Sequence, residues 1–166
     1  MVTVGATGAG GACGVRTDDS TAVEAAFVRY YAPLQRYAQF LGCGAVESED
    51  LVQEAFVRLT RRARVVDDVG AYLRTTVRNL VYDRSGPALR LRSVADVPAG
   101  ADGNAPAAFD AVELADLWAA FGDLSPQQRN CAVLAFFWGL NPTEIAAETG
   151  SRRSTVRNHL ARAVER

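Results

Sequence analysis

The chain has 166 residues and a net charge of −1; 49% of its residues are hydrophobic, and all 18 of its basic residues are arginines. This length and apolar fraction suit one ordinary domain or two small ones with packed cores, and no apolar run approaches the length of a membrane span. No basic segment precedes an apolar stretch near the start of the chain, so no secretory signal is expected and a cytoplasmic location is predicted.

Cysteine and histidine are too sparse to indicate metal or disulfide chemistry. Cys13, Cys43 and Cys131 lie far apart without a C-x-x-C pair, and His159 is the single histidine. This usage does not fit a zinc site or a disulfide framework. The sequence also has no G-x-x-x-x-G-K loop, no H-E-x-x-H pair and no G-x-S-x-G elbow. We therefore predict no metal, no cofactor and no catalytic residue, and a protein that is not an enzyme.

The small net charge conceals a segregation along the chain. Residues 71–92 hold five arginines against one acidic residue, and residues 151–166 again hold five arginines against one acidic residue. Residues 93–150 hold eight acidic residues against one arginine. Two basic segments on one chain indicate two contacts with a polyanion, although solvated arginine-rich faces are common.

The N-terminal part is predicted to pass from disorder into a helix. Residues 1–18 are rich in Gly, Ala, Thr and Val without periodicity, which is typical of disorder. Thr21 and Glu24 have the spacing of a capping box. A helix should follow, in which Pro33 causes a kink or a break.

The stretch SEDLVQEAFVRL, residues 48–59, predicts a second, amphipathic helix. Its apolar side consists of Leu51, Val52, Ala55, Phe56 and Leu59. Its opposite side consists of Asp50, Gln53, Glu54 and Val57. Many core-facing helices have such a solvated side. The apolar residue among the acidic ones is nevertheless more typical of a docking surface.

A third helix, AYLRTTVRNLVYDR, places Leu73, Val77 and Leu80 inward and completes a helical domain over residues 19–87. The next segment, residues 88–108, is rich in Ala, Gly, Pro and Asp and has no period, so it is predicted to be a flexible linker.

Two local start signals mark the helices of a second domain over residues 109–166. Ser125 precedes Pro126, and Asn141 precedes Pro142. In each pair a capping residue stands before a proline in the first helical position, with Gln or Glu at the capping-box position.

The last segment, NPTEIAAETGSRRSTVRNHLARAVER, predicts a helix-turn-helix. Gly150 can adopt the positive φ of the turn, and Ala146 is small where the two helices approach. The residues predicted inward are Ile145, Val156, Leu160, Ala163 and Val164. Those predicted outward are Arg153, Ser154, Thr155, Arg157, Asn158 and Arg162. The outward types hydrogen-bond phosphates and base edges in the major groove, which favours DNA recognition over a plain helical hairpin.

Together these motifs resemble a known family. The sequence DLVQE at residues 50–54, followed by AFVRL and the third helix, resembles the second conserved region of bacterial RNA polymerase sigma factors. The helix-turn-helix, preceded by LSPQQR, resembles their fourth region. With no third region between them, the chain is similar to the extracytoplasmic-function group of the sigma-70 family. The resemblance covers about residues 23–92 and 112–166.

The resemblance implies partners and site residues. Contacts with the RNA polymerase core, on its clamp helices, are implied for Asp50, Gln53, Glu54 and Val57. Contacts with the promoter minus-ten element are implied for Arg74, Arg78, Asn79 and Arg84. The loop at residues 65–70 would hold a flipped base, and the outward residues of the last helix would contact the minus-thirty-five element. An anti-sigma factor is a further candidate partner.

Two other functions fit parts of the sequence. One is a free-standing helix-turn-helix repressor or activator whose first domain senses a ligand or dimerises. The other is an anti-sigma factor or adaptor that binds polymerase without promoter DNA. The pairing of DLVQE with a second basic helix favours a two-domain, all-helical sigma factor that directs the polymerase to promoters and helps to open the minus-ten region.

Overall fold

The structure is a computed structural model that describes residues 20–62, 66–85 and 119–165. The segment predicted to be disordered and the predicted linker lie outside these residues. The described helices are α1 (Ser20–Phe40), α2 (Ala45–Thr60), α3 (Val69–Ser85), α4 (Pro126–Phe136), α5 (Pro142–Thr149) and α6 (Arg153–Val164). Residues 119–122, which precede α4, are also helical. The all-helical prediction is confirmed.

Helices α1, α2 and α3 pack against one another to form the first domain, with Leu51 and Leu73 fully buried between them. Helix α1 is a single element that contains Pro33, so of the two predicted outcomes, a kink or a break, the break does not occur. The predicted capping position is wrong. Thr21 lies inside α1, and Ser20 Oγ instead donates to Glu24 Oε1 at 3.1 Å.

The second domain begins its helices at the predicted caps. Ser125 Oγ accepts from the N–H of Gln128 at 3.4 Å, and the Gln128 side chain accepts from the N–H of Ser125 at 3.0 Å. Asn141 and Glu144 form the same reciprocal pair at the start of α5. Gly150 ends α5 with φ of 68°, a conformation that glycine adopts without a steric penalty.

The buried Arg129 of α4 fixes the approach to this helix. Its guanidinium donates to three carbonyl oxygens, at 3.0 Å to Phe121, 3.3 Å to Gly122 and 3.3 Å to Leu124. Burial lowers the pKa of Arg129. The three carbonyls satisfy a buried charged group that would otherwise be costly, and they tie the segment before α4 to the helix.

Helix α6 packs on α4 and α5 through Val156, which is fully buried. The inward prediction is wrong for Val164, which is 70% exposed. Val164 follows Val156 by eight residues, which is two full helical turns plus about 80°, so it does not lie on the buried side of α6. Leu160 and Ala163 lie nearer to the direction of Val156 around the helix, and both are partly buried against the core.

The two domains are docked on each other. The ring of Phe40 in α1 lies 5.5 Å from that of Phe121 and 5.7 Å from that of Phe137. The buried residues of the described chain accordingly form one continuous cluster that spans both domains.

Candidate polymerase and nucleic-acid interfaces

The surface of α2 opposite the core is named the α2 face and consists of Asp50, Gln53, Glu54 and Val57. Asp50 and Gln53 are exposed, Glu54 is half-exposed, and Val57 is 38% exposed. The five apolar residues predicted for the other side are all buried. One side of α2 is therefore buried in the core, and the other side is a solvent-exposed acidic surface that includes one apolar residue.

Glu54 has a neighbour that periodicity alone did not reveal. Arg58 Nε donates to Glu54 Oε1 at 2.8 Å, one turn further along α2. An exposed pair of this spacing contributes only a few tenths of a kcal/mol. It nevertheless orients the Glu54 carboxylate on the surface.

Aromatic side chains of α1 pack beside α2. The ring of Phe27 stacks on Tyr31 at 4.5 Å and lies 5.0 Å from Phe56, yet it remains 42% exposed. The hydroxyl of Tyr31 donates to Glu49 Oε1 at 3.4 Å. Helical periodicity does not single out Phe27, because a helix that packs against two partners has no single clear apolar stripe.

The four α3 residues implied as minus-ten contacts divide into two pairs. Asn79 and Arg84 are exposed. Arg78 is half-buried, and its Nη2 donates to Asn79 Oδ1 at 3.3 Å. Arg74 is only 7% exposed and faces the second domain, so it is not on an open surface in this structure.

Arg74 forms a two-pronged ion pair with Glu148 of α5. Its Nε donates to Oε1 at 2.9 Å and its Nη2 donates to Oε2 at 2.8 Å. Its guanidinium also lies over the ring of Trp138, 4.9 Å from the centroid. Burial disfavours the charge on Arg74, but the hydrogen bonds and charge of Glu148 outweigh it and raise the pKa of Arg74. Gly70 leaves room for the pair, because a Cβ there would lie 3.2 Å from Arg74 Nη1.

A second set of contacts joins α1 to α4. The hydroxyl of Tyr37 donates to Asn130 Oδ1 at 2.6 Å, and both residues are buried. The Tyr37 ring meets that of Trp138 edge to face at 6.4 Å. The interdomain interface is defined here as Tyr37, Phe40, Arg74 and Arg78 on the first domain and Asn130, Phe137, Trp138 and Glu148 on the second.

The loop implied to hold a flipped base, residues 65–70, is described from Val66 onward. Val66 and Val69 are buried, whereas Asp67 and Asp68 are exposed. Asp68 Oδ1 accepts from the N–H of Ala71 at 2.9 Å and so caps the start of α3. The loop is thus held to the domain at both valines and presents its carboxylates outward.

The outward set of the helix-turn-helix shares one open surface of α6. All six members are exposed: Arg153, Ser154, Thr155, Arg157, Asn158 and Arg162. Within residues 119–165, no carboxylate lies within ion-pair distance of these arginines. The helix therefore offers guanidinium and amide donors of the kind that bind phosphates and base edges.

Metal and membrane functions find no support in the described part of the chain. Residues 20–62, 66–85 and 119–165 hold no group of His, Cys, Asp and Glu side chains placed to bind a metal ion. No helix among them combines the length and the apolar composition needed to span a bilayer. Cys43 and Cys131 are both buried, and burial raises the pKa of Cys131 to about 11.

The geometry also shows two residues that sequence analysis missed. Glu148 and Trp138 supply the carboxylate and the ring that hold Arg74. The lone acidic residue in the last turn of α5, before an arginine-rich helix, was the available signal for Glu148. Nothing local distinguished Trp138 from an ordinary core residue.

Both halves of the chain match models of one protein family. Residues 26–90 match "Sigma-70 region 2" and residues 114–166 match "Sigma-70, region 4". The chain is 31% identical to the ECF RNA polymerase sigma factor SigL of Mycobacterium tuberculosis, an alignment that covers 90% of this chain and 91% of SigL. It is 30% identical to the ECF RNA polymerase sigma factor BldN of Streptomyces coelicolor, over 82% of this chain and 55% of BldN.

A solved structure shares the fold. The sigma factor RpoE, crystallised with the anti-sigma factor NepR from Bartonella quintana, superposes with a TM-score of 0.63 and 22% identity. The match covers 86% of this chain and 91% of RpoE. Family membership rules out the repressor and adaptor functions and confirms that the protein is not an enzyme. This chain belongs to the extracytoplasmic-function sigma factors of the sigma-70 family, which direct RNA polymerase to promoters.

Proposed function

We propose that this sigma factor binds the RNA polymerase core through the α2 face and contacts promoter DNA through α3 and α6. The observation that carries the proposal is the two-sided character of α2. Its apolar side is sealed in the core, while Asp50, Gln53 and Val57 stay exposed although the two domains are docked. A surface that domain docking leaves free is available to a protein partner.

The charge of the α2 face fits a protein partner better than DNA. Carboxylates repel phosphate, so an acidic face does not compete with the basic helices for the promoter. Val57 adds an apolar contact of the kind found at interface centres. Charge would direct the encounter with a basic partner, and Val57 would add buried area.

The DNA contacts are divided between the two domains. Helix α6 is assigned to the minus-thirty-five element, with Arg157 and Asn158 proposed to contact base edges and the other outward residues to contact phosphates. Helix α3 is assigned to the minus-ten element through Arg74, Arg78, Asn79 and Arg84.

Melting of the minus-ten region is assigned to the loop at residues 65–70 together with α3. Single-stranded bases expose hydrogen-bonding edges that a duplex hides, so a flipped base can be recognised individually. Asp67 is exposed at this loop and is the candidate for such a contact. Binding of a flipped base would stabilise the open promoter.

Location and regulation follow from the same assignment. A protein that works with RNA polymerase acts in the cytoplasm. The RpoE structure contains a bound anti-sigma factor, and we extend this kind of partner to the present chain as a candidate regulator.

Charge reversal on α2 tests the polymerase assignment. The double variant D50K/E54K should weaken comigration with purified core polymerase on gel filtration by at least about tenfold, because like charges across an interface are strongly unfavourable. Its folding should be unaffected, since exposed charges contribute little to stability. The control is E49K, which reverses a single charge on α2 outside the α2 face. Equal core affinity for the double variant and the wild type would refute the assignment.

A further inference from the structure

Two arginines lie over tyrosine rings beside residues 66–70, the described part of the loop assigned to the flipped base. The guanidinium of Arg29 in α1 lies 5.2 Å from the centroid of the Tyr30 ring. The guanidinium of Arg62, just after α2, lies 4.9 Å from the centroid of the Tyr72 ring in α3. Both arginines are exposed and both tyrosines are half-buried. Neither pair is among the assigned promoter contacts.

The Tyr30 ring is packed directly against the start of α3. A Cβ on Gly70 would lie 3.2 Å from Tyr30 Oη and 3.3 Å from Tyr30 Cε1, so the hydroxyl edge of the ring meets the backbone of this glycine. Tyr72 lies two residues further along α3, which turns its side chain by about 200° around the helix from position 70. The two arginine–tyrosine pairs therefore flank the loop from opposite sides of α3.

Each ring restricts the arginine that lies over it. A guanidinium over the face of a tyrosine is attracted by the π electrons of the ring. An arginine held in this way loses less side-chain freedom on binding a ligand than an unrestrained arginine does. Arginine is also the side chain whose planar donors match the oxygens of a phosphate. The two pairs are therefore preorganised cations at the surface beside the loop.

The acidic residues of the loop make such cations necessary for DNA binding. Asp67 and Asp68 are exposed, and their carboxylates repel a DNA phosphate. Asp68 Oδ1 accepts from the N–H of Ala71 at 2.9 Å, so this charge is held at the start of α3. A single strand that places a base in the loop brings its phosphates on both sides of that base near these carboxylates. An exposed arginine on each side of the loop supplies the compensating charge.

We propose that Arg29 and Arg62 bind the phosphates on the two sides of the flipped base, and that Tyr30 and Tyr72 position these arginines. The ligand is the backbone of single-stranded DNA, so the contacts supply affinity and carry no sequence preference. The inference rests on the proposed function, because it requires the loop to hold a flipped base. It adds a phosphate-binding site built from α1 and the end of α2, outside the α3 residues already assigned.

The test uses holoenzyme, formed from the full chain and core polymerase, and a promoter fragment whose start site depends on the chain. The fragment has mismatched strands across the minus-ten region, so it is already melted and the opening step does not enter the measurement. Dissociation constants are measured by fluorescence anisotropy at several salt concentrations. Arg29→Ala and Arg62→Ala should each weaken binding about threefold, because exposed charge contacts are individually modest. Each should make the salt slope shallower by about 0.7, and the double variant by about 1.4, since each arginine neutralises one phosphate.

Three comparisons separate phosphate binding from a loss of structure. Arg29→Lys keeps the positive charge, so it should keep the wild-type salt slope. A fragment that ends upstream of the minus-ten region lacks the melted strand, so every variant should bind it like the wild type. Arg61 is exposed and follows Val57 by four residues, which places it on the side of the α2 face. Arg61→Ala should therefore leave the salt slope on the melted fragment unchanged.

Wild-type affinity and salt slope in either Arg29→Ala or Arg62→Ala would overturn the inference. An equal change in Arg61→Ala, or an equal loss of binding to the upstream fragment, would also overturn it, because the effect would then not come from phosphates beside the flipped base. Failure of the proposed function would give a different result. Wild-type holoenzyme would then bind the melted fragment no more tightly than core polymerase alone.

Discussion

The hydroxyl of Tyr37 donates to Asn130 Oδ1 at 2.6 Å across the boundary between the two domains, and both residues are buried. This bond joins α1 to α4, which are 93 residues apart in the chain at these positions. It lies beside the aromatic contacts of Phe40 and close to the ring of Trp138. The docked arrangement thus depends on a polar bond and an apolar cluster together.

Removal of this bond should destabilise the protein measurably. We expect Tyr37→Phe to lower the free energy of unfolding by about 1 to 3 kcal/mol, because Asn130 would be left buried with an unpaired acceptor. Urea unfolding should show a lower midpoint. The matched control is Tyr31→Phe, whose hydroxyl makes a longer, exposed contact to Glu49. Equal midpoints for the two variants would contradict the assigned role of Tyr37.

Stability should decline at alkaline pH. Burial raises the pKa of Tyr37 well above its ordinary value of 10.0, and burial raises that of Cys131 from 9.0 to about 11. Between the unfolded and folded pKa values the unfolded chain releases protons that the folded chain keeps, so stability falls as pH rises. The contribution of these groups is complete below pH 9 and is lost progressively above it. Urea midpoints measured from pH 8 to pH 11 should fall, and Tyr37→Phe should reduce the slope above pH 10; a flat profile would contradict the burial.

Two glycine substitutions should act in opposite directions. Gly150 has φ of 68° with open space around it, so Gly150→Ala should cost about 1 kcal/mol through backbone strain alone. Gly44 precedes α2 with φ of −68° and also has open space. Gly44→Ser should be neutral or stabilising, because serine is a favourable N-cap. Thermal unfolding compares the two variants. Unchanged stability of Gly150→Ala would contradict the turn geometry, and a loss of stability in Gly44→Ser would contradict the open N-cap position at Gly44.

Substitutions on α6 should distinguish base contacts from phosphate contacts. Arg157→Ala or Asn158→Ala should cost about 1 to 3 kcal/mol in binding the minus-thirty-five element and should relax the preference at one or two base pairs. Arg162→Ala should instead weaken all sequences evenly and reduce the salt slope. Selection of binding sites from a random duplex library, repeated for each variant, measures both effects. If all three substitutions weakened binding to every DNA sequence equally, the three residues would be phosphate contacts.

Local chemistry was the most predictable part of this fold. The caps at Ser125 and Asn141 and the turn at Gly150 depend on groups within a few residues, so the sequence specifies them directly. The buried side of α2 followed from periodicity for the same reason. The environment of Arg74 could not be predicted from the sequence, because its partner Glu148 lies 74 residues away. Periodicity cannot show which side of α3 meets another domain. The prediction that Val164 faces inward was wrong because Val164 lies about 80° around the helix from the buried Val156.

The central claim is that the chain acts with RNA polymerase core at promoters, and transcription in vitro tests it most directly. Core enzyme would be incubated with a genomic promoter library, with and without the full chain, and the transcript starts would be mapped. The account predicts a defined set of starts that appears only with the chain and disappears with D50K/E54K but not with E49K. An identical set of starts with and without the chain would contradict it.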